Sequence, residues 1–277
     1  MPRVHPTAIV DGEARLADDV VVGPHSVVEG GVQIGPGTVL REGVIVRRYT
    51  TLGAGNLVDA YAVLGGEPQD LKFDPATVSY LRIGDGNVFR EGVTISRATG
   101  QGNETRVGNR TYWMAGAHAG HNATIEDGAI LANGCAVGGH ATVGAAAILS
   151  AHVGIHQFCW VGERIMSQGH AGVSTHVPPY VLISGEINRV AGLNVVGLRR
   201  APGFTDEDRR QIKEAFCLTY RAGMTTSQAL ERMDACKDWG AAAGRFREFI
   251  RRVLAAPKPF NRGLCPLRRR RGDQGED

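Results

Sequence analysis

A valine, leucine or isoleucine occupies every sixth position of this chain from residue 4 to residue 64. The row runs Val4, Val10, Leu16, Val22, Val28, Ile34, Leu40, Val46, Leu52, Val58, Leu64. It resumes at Ile83, Phe89 and Ile95, then continues through Val107, Trp113, Ala119, Ile125, Leu131, Val137, Val143, Leu149 and Ile155 to Val161. A period of six is too long for an alternating strand and out of step with a helix. It predicts a parallel β-helix of hexapeptide repeats, in which short strands turn corners and each sends one aliphatic side chain to the axis. Residues two places earlier, such as Ala14, Val20, Ser26, Val32 and Thr38, are small or β-branched, which suits a narrow coil. Three hexads close one triangular coil, so residues 18 apart should stack at roughly the 4.8 Å strand spacing. Glycines directly after the aliphatic, among them Gly23, Gly35 and Gly108, are expected at corners. They account for much of the total of 38 glycines. No strand-to-helix switch followed by Lys and Ser/Thr marks a phosphate loop.

The prism is expected over residues 1–200, a small helical domain over 201–264, and a disordered tail over 265–277 carrying Arg268 to Arg271. Thr205 before Asp206, Glu207 and Asp208 predicts a helix start, with Ile212, Phe216 and Tyr220 on one face and Gly223 as a stop. Thr225 with Gln228 predicts a capping box. Phe246, Phe249, Ile250, Val253 and Leu254 form a stripe expected to pack on the last coil and to end before Pro257. A formal net charge of only +3 gives no sign of a nucleic-acid partner. The repeat starts at Val4, which leaves no room for a signal peptide, and no apolar run is long enough to span a bilayer. The expectation is a cytoplasmic protein without membrane insertion. Its five scattered cysteines fit reduced thiols, since no CxxC pair is present.

Loops that leave a solenoid tend to carry its function. From Leu64 to Ile83 the row steps one place further than a full coil. The segment there predicts an extruded loop bearing Asp70 and Lys72, and a second break surrounds Gln101. Counted modulo 18, His156, His121 and His140 fall on successive places, so they should line one edge in three successive coils. Trp113 and Ala119, the exceptions to the aliphatic row, lie just upstream. His152 and His170, 18 apart, are expected to be structural or subunit-contact residues. Such an edge suits a general base near neutral pH or three imidazoles around zinc with an open fourth position. The residues alone leave both chemistries open.

At this point the chain resembles the cytosolic UDP-N-acetylglucosamine O-acyltransferase family that begins lipid A synthesis. The likeness spans nearly the whole sequence. It rests on His5-Pro6-Thr7-Ala8-Ile9-Val10, Gln69-Asp70-Leu71-Lys72, Ala117-His118-Ala119-Gly120-His121, Gly139-His140 and His156-Gln157-Phe158-Cys159. It continues with Val177-Pro178-Pro179-Tyr180-Val181, Gly197-Leu198-Arg199-Arg200 and Arg262-Gly263-Leu264. The resemblance implies a mainly β fold, a left-handed parallel β-helix of hexapeptide repeats with a small C-terminal α-helical domain. It also implies a homotrimer with active sites between adjacent prisms, and transfer of a 3-hydroxyacyl group from acyl carrier protein to the sugar 3-hydroxyl. His121 takes the place of the general base and Gly139 N–H that of the oxyanion donor. Gln69, Asp70, Lys72, His118, His140, His156, Gln157, Asn194 and Arg200 correspond to substrate-binding residues, and Gly169 falls where acyl length is gauged. The acyl donor carries phosphopantetheine as a co-substrate, and no cofactor or metal is implied.

The chain departs from the family pattern in three ways. Asn122 stands where an acid usually follows the catalytic histidine; an amide can orient an imidazole but cannot stabilise an imidazolium by charge. If the acid is merely missing, Asn122→Asp should raise turnover. Ala201 and the inserted Pro202 alter the run after Arg200, and Val196 replaces an acid. The alternatives are a related acyltransferase with another nucleotide sugar or acyl donor, a catalytically impaired homologue, and a zinc hydratase using His118, His121 and His140.

Overall fold

The computed structural model describes residues 1–236 and 238–268. Short strands follow the hexads, and each pairs in parallel with the strand one coil further on: Arg3 with Val21, Ile9 with Val27, Arg15 with Gln33. They build three flat sheets of eleven, nine and eight strands, the faces of a left-handed prism. From Val22 to Val161 every member of the sixth-residue row is buried. Val4, in the first coil, stays 41% exposed because no coil stacks beneath it. Trp113 and Ala119, consecutive members of the row, compensate each other within one coil. Trp113 is fully buried against Phe89, ring centroids 5.7 Å apart, and Ala119 on the next face leaves it the volume. Close packing of the axis therefore explains both residues without reference to the histidines that follow. A buried polar ladder runs beside them: Asn56 Oδ1 accepts from Asn87, and Asn87 Oδ1 accepts from Thr111.

The register locates both excursions. Thr51 pairs with Arg82, where an unbroken register would bring Gln69, so thirteen residues leave the coil after Leu64. Leu64 and Ile83 therefore lie on consecutive faces, and the step between them is one face plus the loop, not a coil plus one. Arg82 pairs with Arg106, where an unbroken register would bring Gly100, so a second excursion of six residues lies around Gln101.

Four helices follow: α1 Val195–Arg200, α2 Asp206–Tyr220, α3 Thr226–Ala235 and α4 Ala241–Leu254. Thr205 and Thr225 cap α2 and α3 through reciprocal bonds with Asp208 and Gln228. Gly223, at φ 67°, lies just beyond the end of α2. Phe246 and Ile250 of α4 meet Tyr180, Leu198, Ile212 and Met233 in a second core, whereas Phe216 and Tyr220 of α2 join the prism core. Of the stripe expected on α4, Phe249 is only half-buried and Leu254 is exposed.

Helix α1 arises inside the span assigned to the prism, after a strand Val190–Leu193 that pairs antiparallel with Val181–Ile183. The hexad spacing has lapsed there, and Asn194 starts the helix as its N-cap. Residues 265–268, expected in the tail, instead return to the prism: Cys265 N–H donates to His176 O, and Arg268 N–H to Val190 O. The rest of that expected tail, including Arg269 to Arg271, lies outside the described residues. Among the described residues no helix is long and apolar enough to cross a membrane.

Candidate active site

His121 sits on the corner between the second and third faces, one residue beyond Gly120. Its Nδ1 lies 2.9 Å from Asn122 Oδ1. The direction of that bond follows from Thr99, in the second excursion. Thr99 N–H and Oγ–H both donate to Asn122 Oδ1, at 2.9 and 2.8 Å, while Asn122 Nδ2 donates to Thr99 O at 3.2 Å. A flipped amide would oppose donor to donor and acceptor to acceptor, so the clasp fixes which end is oxygen. His121 Nδ1 must then carry the proton, and Nε2 keeps a free lone pair.

Gly139 lies one coil further on, beside the ring. A Cβ at Gly139 would stand 2.7 Å from His121 Cε1 and 2.8 Å from Nε2. At equivalent corners the backbone N–H is capped by a side chain of a neighbouring coil: Asn109 N–H by Asp127, and Ala145 N–H by Glu126. The corresponding neighbours of Gly139 are Gly120, which has no side chain, and Gln157. Among the described residues the Gly139 N–H meets no acceptor. An unpaired lone pair and an unpaired N–H thus occupy one corner.

A cavity of about 590 Å³ opens there, lined by Gln69, His118, His121, Gly139, His156 and Gln157 and extending over the second face. Its floor is the column of outward residues at stacked positions, His118, Ala136, Gly154 and Gly172. Side chains shrink along this column from imidazole to methyl to hydrogen, which leaves an apolar trough running about 14 Å from His118. Ile187, 73% exposed, closes the far end; a Cβ on Gly172 would lie 3.4 Å from its Cγ1.

The other expected site residues divide. His118 Nδ1 is 2.8 Å from Thr94 Oγ1, and burial depresses its pKa, which favours the neutral ring. His140 does not line the cavity. It stacks on Phe158 at 4.8 Å and meets His121 edge-on at 5.2 Å, so it backs the His121 ring instead of facing the cavity. Burial lowers its pKa first and His121 lowers it further, against an opposing effect of Asp70. Modular counting puts the three histidines on one corner, but His156, His121 and His140 take its successive positions and so point differently. Asp70 Oδ1 accepts from Lys72 N at 2.9 Å, and both residues are exposed on the loop.

Asn194 is buried and occupied within its own chain: Oδ1 accepts from Gly197 N, and Nδ2 donates to Arg164 O. Arg200 is exposed at the end of α1 and outside the cavity. Gly169 lies on the adjacent corner and does not line the trough, whose end is set by Ile187. Among the described residues no three His, Cys, Asp or Glu side chains gather as metal ligands.

Counting hexads misses Thr99, Ile187 and the role of Arg262. Arg262 Nη2 stands 2.8 Å from His156 Nδ1, and its Nε donates to Ser174 O at 3.0 Å. Nδ1 also lies 3.1 Å from Gln157 O. A guanidinium only donates, so the shorter contact assigns the lone pair to Nδ1 and leaves Nε2–H as the donor of His156. The shrinking column could have been found at its spacing of 18; Ile187 falls where the spacing has already lapsed.

A family model described as "Udp N-acetylglucosamine O-acyltransferase; Domain 2" matches residues 176–265, and a hexapeptide-transferase model matches residues 3–48. An acyl-[acyl-carrier-protein]–UDP-N-acetylglucosamine O-acyltransferase of Gloeothece citriformis is 42% identical over 62% of this chain and 61% of its own length. The namesake from Anaeromyxobacter dehalogenans (strain 2CP-1) is 39% identical over 84% of this chain and 90% of its own. Among solved structures, the UDP-N-acetylglucosamine O-acyltransferase of Moraxella catarrhalis superposes with a TM-score of 0.88 at 35% identity, covering 95% of this chain and 99% of that one. The Francisella novicida UDP-N-acetylglucosamine acyltransferase gives 0.85 at 32% identity, covering 97% and 95%.

Proposed function

This chain belongs to the UDP-N-acetylglucosamine O-acyltransferase family, and from that premise we propose how its cleft works. The protein transfers an acyl group from acyl carrier protein to UDP-N-acetylglucosamine, the first step of lipid A synthesis. The observation that carries the mechanism is the corner where the free lone pair of His121 Nε2 faces a cavity beside the uncapped N–H of Gly139. His121 Nε2 takes the proton of the sugar 3-hydroxyl as that oxygen attacks the thioester carbonyl of a 3-hydroxyacyl donor. The charge that develops on the carbonyl oxygen is met by Gly139 N–H. Collapse forms the ester, breaks the C–S bond and returns the proton from the imidazolium to the phosphopantetheine thiolate. The apolar trough over Ala136, Gly154 and Gly172 suits the acyl chain.

Gln69, Asp70 and Lys72 hold the sugar from the loop, with His118, His156 and Gln157 along the cavity and His140 behind the base. The proposed assembly is a homotrimer in the cytoplasm. A neighbouring copy would bring α1, with Arg200 and the exposed Val195 and Val196, to a cleft that a single chain leaves open. A groove between α1 and α2, lined by Arg199, Arg209, Lys213 and Arg221, offers positive charge to an acidic carrier protein. Incubation with UDP-N-acetylglucosamine and hydroxyacyl carrier proteins of several lengths, read by mass spectrometry, is expected to yield a singly acylated nucleotide sugar. No product with any donor would sink the assignment.

Asn122 calls for a separate test, because the clasp by Thr99 gives the base an orienting partner without an acid. Asn122→Ala removes the acceptor of Nδ1–H and is expected to lower kcat about 10- to 100-fold, the equivalent of a hydrogen bond of roughly 1.5–3 kcal/mol. Asn122→Asp keeps the accepted bonds and adds a charge beside the imidazolium, but sets a carboxylate oxygen against Thr99 O, where Nδ2 now donates. Those effects oppose, so its kcat is expected within about fivefold of the parent. Parallel steady-state assays would decide; a large gain in Asn122→Asp would show that the acid is merely missing.

A further inference from the structure

We propose that Arg97 is the positioning residue that sets the substrate loop over residues 65–79. Ile95 pairs with Ala119, so two residues on Arg97 holds the corner position that His121 takes one coil later. At the matching corner of other coils Arg48, after Val46, has its side chain 65% exposed, Gln157 is exposed and His121 is half-buried. Arg97 is 2% exposed.

Its guanidinium lies under the loop and meets it repeatedly. Nη1 donates to Thr77 O at 2.6 Å and to Ser79 Oγ at 3.1 Å, and Nη2 reaches Pro75 O at 3.4 Å. The Phe73 ring covers the cation at 4.9 Å, the Tyr49 ring lies at 5.4 Å, and the Glu67 carboxylate stands 3.8 Å away. The backbone joins in, with Arg97 N–H donating to Gly66 O at 2.8 Å.

A buried cation is costly unless its protons are met, and here nearly all the groups that meet them belong to the loop. Guanidinium and loop are therefore stable only together. Between the anchored ends, near Gly66 and at Phe73 to Ser79, lie Gln69, Asp70 and Lys72, so the anchor fixes where those side chains reach. Two residues further on, Thr99 clasps Asn122. One short segment thus fastens both the sugar-binding loop and the base. The inference rests on the sugar-site assignment of the loop made above.

The test uses the full-length protein with Arg97→Met and Arg97→Lys, read by hydrogen exchange of loop peptides without substrate and by steady-state kinetics. Arg97→Met is expected to speed exchange of loop amides about tenfold or more. It should raise KM for UDP-N-acetylglucosamine about tenfold while kcat falls less than about threefold, the split expected when binding groups are misplaced and the base is not. Arg97→Lys, which keeps charge without the planar fork, should fall between. Phe73→Ala removes a contact from the loop side and leaves the prism untouched. It should move both readouts the same way by less, which covers the case in which Arg97→Met fails to fold. Unchanged loop exchange overturns the anchor, and a loosened loop with unchanged KM overturns its role in binding. A parent protein that makes no acylated sugar overturns acyl transfer itself, and the exchange measurement tells these failures apart.

Discussion

His121→Ala is expected to lower kcat/KM about 10²- to 10⁴-fold, the range a positioned general base supplies, while the prism unfolds at nearly the parent temperature. Loss of rate without loss of fold is expected because His121 is a half-buried corner residue with its ring directed at the cavity, while the axis beside it is filled by Ala117, Ala119 and Ala123. Truncation removes Nε2 and leaves the amide of Asn122 still held by Thr99, so the corner keeps its shape. His118→Ala offers the contrast. Burial lowers its pKa and so favours the neutral ring, and Thr94 occupies its Nδ1, so it should act mainly through KM. Thermal unfolding and steady-state kinetics on the two variants check this. A His121→Ala enzyme within about tenfold of the parent would show that another group takes the proton.

The sixth-residue row makes the prism legible because each member does the same job, filling the axis. Its exceptions are legible as exceptions only: that Trp113 and Ala119 compensate within one coil requires the contact of Trp113 with Phe89. The spacing of 18 correctly stacks His152 on His170, ring centroids 5.2 Å apart. It also brings His121 and His140 to one corner, but sharing a corner does not set a common direction: His140 stands three residues after its row member, where positive φ recurs from coil to coil, and turns behind His121, which stands two after. His140 adopts φ 59° and stacks on Phe158, which adopts φ 63° at the same corner position one coil later. Asn122 reads as a weakened acid in the sequence because its partner Thr99 lies more than a coil back, across an excursion where the period carries no phase. Arg97 is hidden for the same reason: its loop partners lie in the first excursion. Helix α1 and Ile187 fall where the spacing has lapsed, and there the chain gives only local signals, such as Asn194 before Val195.

Gly139→Ala should cost about 10²- to 10³-fold in kcat, the scale of a lost oxyanion donor, although the substitution adds a single carbon. The added Cβ would stand 2.7 Å from His121 Cε1 and 2.8 Å from Nε2, closer than carbon and ring atoms approach. The ring cannot simply retreat. Its Nδ1 is bonded to Asn122 Oδ1, and His140 meets it edge-on at 5.2 Å. The corner resists as well, because His140 N–H donates to His121 O and Phe158 N–H to Gly139 O, both at 3.0 Å. Either the base loses its partner or the N–H donor is displaced, and each lowers the rate of the chemical step. Gly12→Ala is the control, since a Cβ there has nothing within 4 Å. Combining Gly139→Ala with His121→Ala separates the two routes. With the ring gone the clash is relieved, so the double variant should be no slower than His121→Ala alone. A further fall of about a hundredfold would mean that the methyl displaces the corner and its N–H, and that the ring is not what it strikes.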